Sequence, residues 1–586
     1  MDNKLQQRAQ TVLQGLQKQL CDRSVAAILV RSTDKYFNEY VPLDRCLRAK
    51  ITNFKGSAGD ALITQNAAHL IVDGRYSLQA AAQAPDFTVH VVPNGQSIEN
   101  YTLNLLATAL KKGDRMAYDP ATVDLRHFAL LEKATGAVGA TLEDCAPSFW
   151  PAIVPSKIAQ EPKIWQAPLE FTGAAIEEKL QALAPDFAEG IDAFLAVKLD
   201  DIAWLTNLRG DYFVQQMTFP SLLCLTPHKV LLATTDAGKR FESSHLAVVP
   251  ENEFFKHLPN FLSGTRPVMG IDPSQTSKAH QLALQAAGFS LKEVRNPLAR
   301  HKAVKNDQEL HHMRVAFKKA DQVVFATAES IAQIYRENGQ VTEAQVDDLV
   351  QDQFRQSGAI ALSFRPICAG EKNGAYIHYS NPDHKNKVAA GSLFLLDTGG
   401  YYEGGYATDL TRTFLLGQKP AAAWQKEMFT LVLKASIAGL SARFRRGTVG
   451  EQLDAIVRAP LWRVGLDFAH GTGHGVGINV HEFPPRIAPG STTVLEERHV
   501  FSIEPGLYFA GKGGVRIENL VTVVADPDKK EFLRILPLTF SPFDDRLIEH
   551  SMLDAFEESF LKYYEKEWSN NAAMPNLPPL PGSSFA

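Results

Sequence analysis

The sequence predicts two related α/β modules followed by a larger α+β module. The first observation behind this is length: 586 residues are far more than one hydrophobic core organises, so several domains are expected. The second is a repeated phrase, Thr-Asn-apolar-basic-Gly, at residues 51–56 (ITNFKG) and 205–210 (LTNLRG). Each copy follows an apolar strand and precedes strand-turn-strand signals, as in an internal duplication. The third is a change of texture near residue 305, where long helical periodicities begin to alternate with strand pairs joined by glycine-rich turns.

The elements follow in chain order. MDNKLQQRAQTVLQGLQKQL reads as a polar amphipathic helix, without the apolar core of a signal peptide. VAAILVRSTD and the segments after ITNFKG supply the strands of the first module, and IDAFLAVKLD with the segments after LTNLRG those of the second. Proline-bearing stretches at 146–157 and 294–305 mark seams. Residues 307–338 carry Met313, Phe317, Ala320, Val324, Ala328 and Ile331 at helical spacing. Thr342 with Gln345, and Thr448 with Glu451, have the form of capping boxes that start two more helices. SLFLLD with YATDLTRTFLL, and HVFSIEPGLYF with GGVRIENLVTVV, read as antiparallel ribbons. Leu553, Phe556, Phe560 and Tyr564 line one face of a last helix, and NLPPLPGSSFA reads as a disordered tail. The expected division is 1–157, 158–302, 303–546 and 547–586.

Composition excludes several classes of function. Apolar residues at 45% and charged residues at 21% are ordinary globular values. A net charge of -5, with 60 Lys and Arg spread along the chain, gives no footprint for nucleic acid. No apolar run approaches a membrane span. Five scattered cysteines (Cys21, Cys46, Cys145, Cys224, Cys368), none in a C-x-x-C pair, suit reduced thiols and a cytoplasmic setting.

The chemistry concentrates in the third module. Asp397 ends the apolar strand LFLLD and Asp409 sits on the returning strand, so a hairpin brings both carboxylates to one end; Glu504 and Glu518 repeat the arrangement on the second ribbon. Any one of them alone would be an ordinary turn or surface residue. Four carboxylates converging on one site cannot all ionise at neutral pH unless cations compensate them. Two divalent ions would do so. HGTGHGVGINVHE, residues 470–482, packs three histidines and four glycines into thirteen residues, and one of those imidazoles would complete the set. Oxygen-rich donors with one imidazole and no thiolate suit Mn2+, with Co2+, Fe2+ or Zn2+ as competitors.

DTGGYYEGGYATD, HGTGHGVG, EPG and RIEN, in that order, resemble the pita-bread metallopeptidase family, M24. FKGSAGDALIT, VDGRYSLQAA, IAWLTNLRG and SFRPICAGEKNGAYIHYSNP are similar to its three-domain, cytosolic aminopeptidase P type in particular. The resemblance spans about residues 20–550. It implies two creatinase-N-like α/β domains followed by a pita-bread catalytic domain. It also implies removal of the first residue from peptides with proline second, with a hydroxide bridging two ions as nucleophile. By position, Asp397 and Asp409 would bind one ion and His474 and Glu504 the other, with Asp409 and Glu518 shared. His378, His470 and His481 would stand near the reacting groups without ligating metal, holding the carbonyl and oxyanion and shuttling protons. Arg516, two residues before Glu518, would orient a ligand carboxylate. A homodimer is the expected assembly. Two spacings depart from the family: the first hairpin is one residue longer, and the His474–His481 interval about two shorter.

Three rivals have discriminators. A prolidase would run the same chemistry on Xaa-Pro dipeptides only. A creatinase-like hydrolase and a non-catalytic pita-bread binding protein would both lack the five ligands, which this sequence retains.

Overall fold

The computed structural model describes residues 3–93, 95–145, 163–262 and 266–573. The expected seam at 146–157 and the proline-rich stretch 576–586 lie outside the described residues. The chain divides into two compact units: Met1–Gln166, Ala175–Val214 and Thr218–Leu298 form one, and Ala167–Ala174, Gln215–Met217 and Ala299–Ala586 the other.

The first unit holds two sheets of one design. β1 (Ala27–Val30), β2 (Asp60–Thr64), β3 (Ala68–Val72), β4 (Thr88–Val91), β5 (Arg115–Tyr118) and β6 (Thr141–Asp144) lie in the order β4-β3-β2-β1-β5-β6. β7 (Ala193–Ala196), β8 (Leu222–Leu225), β9 (Val230–Thr234), β10 (Leu246–Pro250), β11 (Val268–Ile271) and β12 (Ser290–Glu293) lie in the equivalent order β10-β9-β8-β7-β11-β12. The senses agree as well. In each sheet the first strand is antiparallel to the second and parallel to the fifth, and the third is parallel to the fourth. Along β1 successive side chains enter opposite cores, Ile28 and Val30 one and Ala27 and Leu29 the other. An apolar run without polar alternation is therefore what this doubly covered strand requires.

The repeated Thr-Asn phrase comes after an apolar strand in both copies, β1 and β7, but a short helix intervenes. The phrase straddles the end of that helix. Leu47–Thr52 and Leu199–Thr206 are helices, and Asn53 and Asn207 cap them in the left-handed conformation at φ 59° and 56°. A short polar side chain tolerates that backbone where most residues do not.

In the second unit the helix Asp307–Asn338 starts at Asn306, whose side chain accepts the Glu309 N–H at 3.0 Å while the Glu309 carboxylate accepts the Asn306 N–H at 2.9 Å. Thr342 and Gln345 form the expected box ahead of the helix Glu343–Gln356. Thr448 and Glu451 do not. A bridge between Val449 and Val494 keeps the backbone extended one residue further. The helix Gly450–Trp462 then begins with Gln452 accepting the Val449 N–H at 2.9 Å.

The described strands of three or more residues in this unit are β13 (Ile367–Gly370), β14 (Leu393–Thr398), β15 (Leu410–Leu415), β16 (Arg443–Arg445), β17 (Gly473–Gly475), β18 (Glu482–Ile487), β19 (Val500–Ile503), β20 (Gly506–Phe509), β21 (Gly513–Arg516), β22 (Asn519–Ala525) and β23 (Phe532–Pro537). One sheet runs β13-β14-β15 and another β16-β23-β22-β19-β17-β18, with β20-β21 a separate ribbon. The second expected ribbon therefore breaks in two: β19 pairs with β22 and β20 with β21. Glu504-Pro505 and Ile517-Glu518 face each other in the gap, where Pro505 has no N–H to continue the ladder. The helix Ala423–Leu440 packs Phe429, Val432 and Leu433 into one core with Phe501, Ile503, Val521 and Val523. The last helix, Ala555–Ala573, buries Phe560, Leu561 and Tyr564. Its expected apolar face needs correction at the start: Leu553 precedes the helix, and the first turn carries Phe556 out to solvent, 59% exposed.

Candidate metal centre

The two ribbons and the histidine segment meet as the charge argument requires. Asp397 is the penultimate residue of β14. Asp409 stands one residue ahead of β15 rather than on it, between the Thr398–Leu410 pair and the bond from Thr408 N–H to the Gly400 carbonyl. Glu504 and Glu518 occupy the gap between the two ribbons, and His474 lies in β17. Asp397, Asp409 and Glu518 each offer an oxygen within 4.8 Å of the others, and a His474 ring nitrogen lies within the same distance of oxygens of Glu504 and Glu518, themselves as close to each other. His474 Nε2 is 3.6 Å from Asp409 Oδ2 and 3.4 Å from Glu504 Oε1.

Backbone hydrogen bonds join these segments. Glu504 N–H donates to the Thr472 carbonyl at 2.8 Å and Glu518 N–H to the Thr411 carbonyl at 3.1 Å. His474 N–H donates to Ser502 Oγ at 3.1 Å. A glycine is required at 473, where a Cβ would stand 1.8 Å from the Ser502 carbonyl oxygen; at Gly471 the nearest atom would be 3.5 Å away. So only some of the glycines serve close approach.

Electrostatically the cluster is under-compensated. Asp397, Asp409, His474 and Glu518 are buried, with Glu504 partly exposed. Burial first, and then the charges of Glu518, Asp397 and Glu504, push the Asp409 carboxyl well above its ordinary range, against the pull of Arg516. Burial followed by Glu504 and Asp397 does the same to Glu518, against Thr411 and Arg516. Asp397 Oδ1 and Glu518 Oε1 are buried without a hydrogen-bond partner. Buried carboxylate oxygens facing one another unpartnered are what divalent ions would satisfy, so the donor set fits two of them.

The imidazoles differ in what holds them. His474 Nδ1 faces the Gly475 carbonyl at 3.2 Å. A carbonyl only accepts, so Nδ1 carries the proton and the Nε2 lone pair faces the carboxylates, the arrangement a metal ligand needs. His470 Nδ1 likewise faces the Gly471 carbonyl at 2.7 Å, but its Nε2 is engaged by the Tyr508 hydroxyl at 3.0 Å. The His481 ring lies 4.0 Å from the His474 ring at 61°, close enough for a nitrogen to fall within 4.8 Å of ligand atoms on Asp409 and His474. His378 is half-buried and follows Ile377, whose carbonyl accepts from Arg516 Nη1 at 3.3 Å.

Arg516, 1% exposed, donates through Nη2 to Asp397 Oδ2 at 2.5 Å, through Nε to Thr411 Oγ1 at 3.2 Å and through Nη1 to Tyr508 at 2.9 Å. Thr411 in turn donates to Glu518 Oε2 at 2.8 Å. Sequence reasoning missed Thr411 and Tyr508. Thr411 was within reach, since it lies two residues beyond Asp409 and so on the same side of the chain. Nothing local marks Tyr508.

A carboxylate-rich dinuclear site in an α+β module behind two duplicated α/β modules defines a two-ion metallohydrolase. Residues 311–525 match the profile of Metallopeptidase family M24, and residues 13–150 and 155–309 two profiles of the Creatinase/Prolidase N-terminal domain. A protein named probable Xaa-Pro aminopeptidase P from Sordaria macrospora is 32% identical over 96% of this chain and 95% of its own length. One of the same name from Neurospora crassa is 32% identical over 96% of this chain and 86% of its own. The crystal structure of X-prolyl aminopeptidase from Caenorhabditis elegans, described as a cytosolic enzyme with a di-nuclear active site, superposes with a TM-score of 0.86 at 27% identity, over 93% of this chain and 92% of that one. The chain belongs to metallopeptidase family M24, in the branch of the proteins named Xaa-Pro aminopeptidase P.

Proposed function

We propose that this chain is a metal-dependent Xaa-Pro aminopeptidase, removing the N-terminal residue from peptides with proline in the second position. The observation that carries the reading is the meeting of Asp397, Asp409, His474, Glu504 and Glu518 in two groups that share Glu518, all buried but Glu504, within a chain matched almost end to end by relatives of that name. Asp397 and Asp409 would hold one ion and His474 and Glu504 the other, with Asp409 and Glu518 shared. Bound there, two divalent ions supply a lowered pKa for water and Lewis-acid polarisation of the peptide carbonyl. Oxygen-rich donors support Mn2+ first, with Co2+, Zn2+ or Fe2+ as alternatives.

The chain's own residues do the rest. Arg516 fixes Asp397, and Thr411 fixes Glu518, so the carboxylates keep one orientation when substrate enters. A directed chain runs from Arg516 Nη1–H to the Tyr508 oxygen and from Tyr508 O–H to His470 Nε2. It holds the His470 ring and makes Nε2 the atom at which a proton is taken up or returned. His470, His481 and His378 are the residues we assign to the scissile carbonyl and to protonating the departing nitrogen. A proline nitrogen carries no N–H, so shape and apolar contact with its ring select the bond. The division into modules at 157, 302 and 546, a homodimer and a cytoplasmic location belong to the same proposal; the described residues contain no helix long and apolar enough to cross a membrane.

The test is mass spectrometry of Arg-Pro-Pro-Gly-Phe incubated with the Mn2+-loaded protein. Release of the first arginine is expected, with trimming able to pass the proline-second product Pro-Pro-Gly-Phe but stopping at Pro-Gly-Phe, and little cleavage when alanine replaces the second residue. Cleavage of Xaa-Pro dipeptides with none of the pentapeptide would make it a prolidase, and sequential trimming through non-proline residues a general aminopeptidase.

A further inference from the structure

We propose that Glu482, clamped by Lys305 and Lys302, is a positioning residue that sets the His481 ring against His474. The effect on turnover rests on the reaction proposed above; the placement of the ring does not. β17 and β18 pair Gly473 with Ile487 and His474 with Arg486, and then the register jumps, so that Gly475 pairs with Glu482. Residues 476–481 are thereby closed into a short loop. The Glu482 carboxylate fills its inside: Oε1 accepts the Ile478 N–H at 2.7 Å and the Asn479 N–H at 3.3 Å. Oε2 accepts from Lys305 Nζ at 2.9 Å, and Lys302 Nζ stands 3.9 Å from Oε1. A Cβ at Gly477 would lie 2.3 Å from Oε2, so that glycine makes room for the carboxylate. The Gly477 carbonyl accepts the Ala407 N–H at 2.7 Å, which ties the loop to the segment carrying Asp409.

Lys302, Lys305 and Glu482 are 1%, 3% and 1% exposed. A buried ion triad is a poor source of stability, since desolvation offsets most of the attraction and an apolar trio of similar volume would serve as well. What the carboxylate provides that an apolar side chain cannot is acceptance of two loop N–H groups, which fixes the path of 478–482. His481 is the adjoining residue, and its ring contacts His474 at 4.0 Å.

A double-mutant cycle tests this in the Mn2+-loaded enzyme. Lys305→Met should lower kcat about 10-fold or more, since displacement of a reacting group by an ångström costs up to about 100-fold, with bound metal as in wild type. His481→Ala should lower it further, and Lys305→Met/His481→Ala should be no slower than His481→Ala alone, within about twofold. Glu482→Gln should behave like Lys305→Met, because an amide turned to accept from Ile478 points its NH2 at the lysine. Losses that multiply in the double variant would overturn the proposal. Lys302→Met, removing the longer contact, is the milder variant should Lys305→Met fail to fold, and the same cycle applies to it. A crystal structure of the variant gives a reading independent of activity: the His474–His481 contact should open, and rings still at 4.0 Å would refute the clamp. If wild type leaves Xaa-Pro peptides uncut, the proposed function falls while this structural arm still decides the placement.

Discussion

Replacing Asp409 by asparagine should stabilise the metal-free protein while destroying its response to metal. Asp397, Asp409 and Glu518 bring oxygens within 4.8 Å of one another. At an effective dielectric constant of 20, two like charges at that distance repel by about 3.5 kcal/mol, and Asp409 takes part in two such pairs. The chain need not bear the whole of this, because it can take up a proton instead. Holding a carboxyl of ordinary pKa protonated at pH 7 costs about 4 kcal/mol, which caps the relief. A net gain of about 2–4 kcal/mol is therefore expected for Asp409→Asn in chelator. At roughly 2 °C per kcal/mol for a unit of this size, its transition should rise by about 4–8 °C. Added Mn2+ should raise the wild-type transition well above its chelated value and move the variant much less, and Xaa-Pro cleavage by the variant should vanish. Calorimetry of both proteins in chelator and in Mn2+ measures all four states. A chelated variant melting at or below wild type, or equal gains from Mn2+ in both, would show that repulsion between these carboxylates is not what the ions relieve.

His470→Ala and His481→Ala should each cut turnover by about 100-fold with bound metal near the wild-type amount; metal lost along with activity in the His470 variant would mean that the wrong histidine of HGTGH has been given to the metal. Tyr508→Phe removes the hydroxyl between His470 and Arg516 and leaves a buried guanidinium N–H unpaired. Since that costs about 1–3 kcal/mol, kcat should drop about 10-fold at unchanged metal content, and a wild-type kcat would dismiss the relay. His499 is buried, and burial above all pushes its imidazole down to about 4. Its folded value thus lies below the unfolded one near 6.5, so its contribution is fully present above pH 6.5 and is lost as pH falls toward 4. Denaturant titrations at pH 7 and 4.5 should show wild type losing about 2–3 kcal/mol more than His499→Gln, and equal losses would mean that His499 is not held neutral.

What the sequence makes legible is local or ordered. The box at Asn306–Glu309 and the buried stripe of the following helix follow from spacings of three and four residues. Asp397, Asp409, His474, Glu504 and Glu518 stand out because their order along the chain matches two ribbons and a histidine segment, although each alone is unremarkable. The misreadings were also local. The short helices that run into the Thr-Asn phrase and are capped by Asn53 and Asn207 went unread, because Ile51, Leu205 and the threonines favour strands. The helix expected to be capped by Thr448 is capped one residue later, at Val449, because Val494, 45 positions on in the chain, holds Val449 extended. Long-range partners leave no local trace at all: Lys305 and Glu482 are 177 residues apart, and Tyr508 meets His470 across the gap between two strands.

The candidate ligands share one property that explains why the site was only half legible. Each sits where regular pairing stops or shifts: Asp397 at the end of β14, Asp409 just before β15, His474 at the register jump of β17, and Glu504 and Glu518 in the gap between β19–β22 and β20–β21. A side chain within a regular ladder points to one face at a fixed interval, so a single sheet cannot aim five donors at one small volume. The interruption at Glu504 and Glu518 frees their backbone N–H groups from their own ladder, and these then bond to neighbouring ligand-bearing segments, Glu504 to Thr472 and Glu518 to Thr411. The breaks are therefore what aim the donors. A sequence shows the donors and one proline, Pro505, that enforces a break. The remaining interruptions arise only when the segments meet.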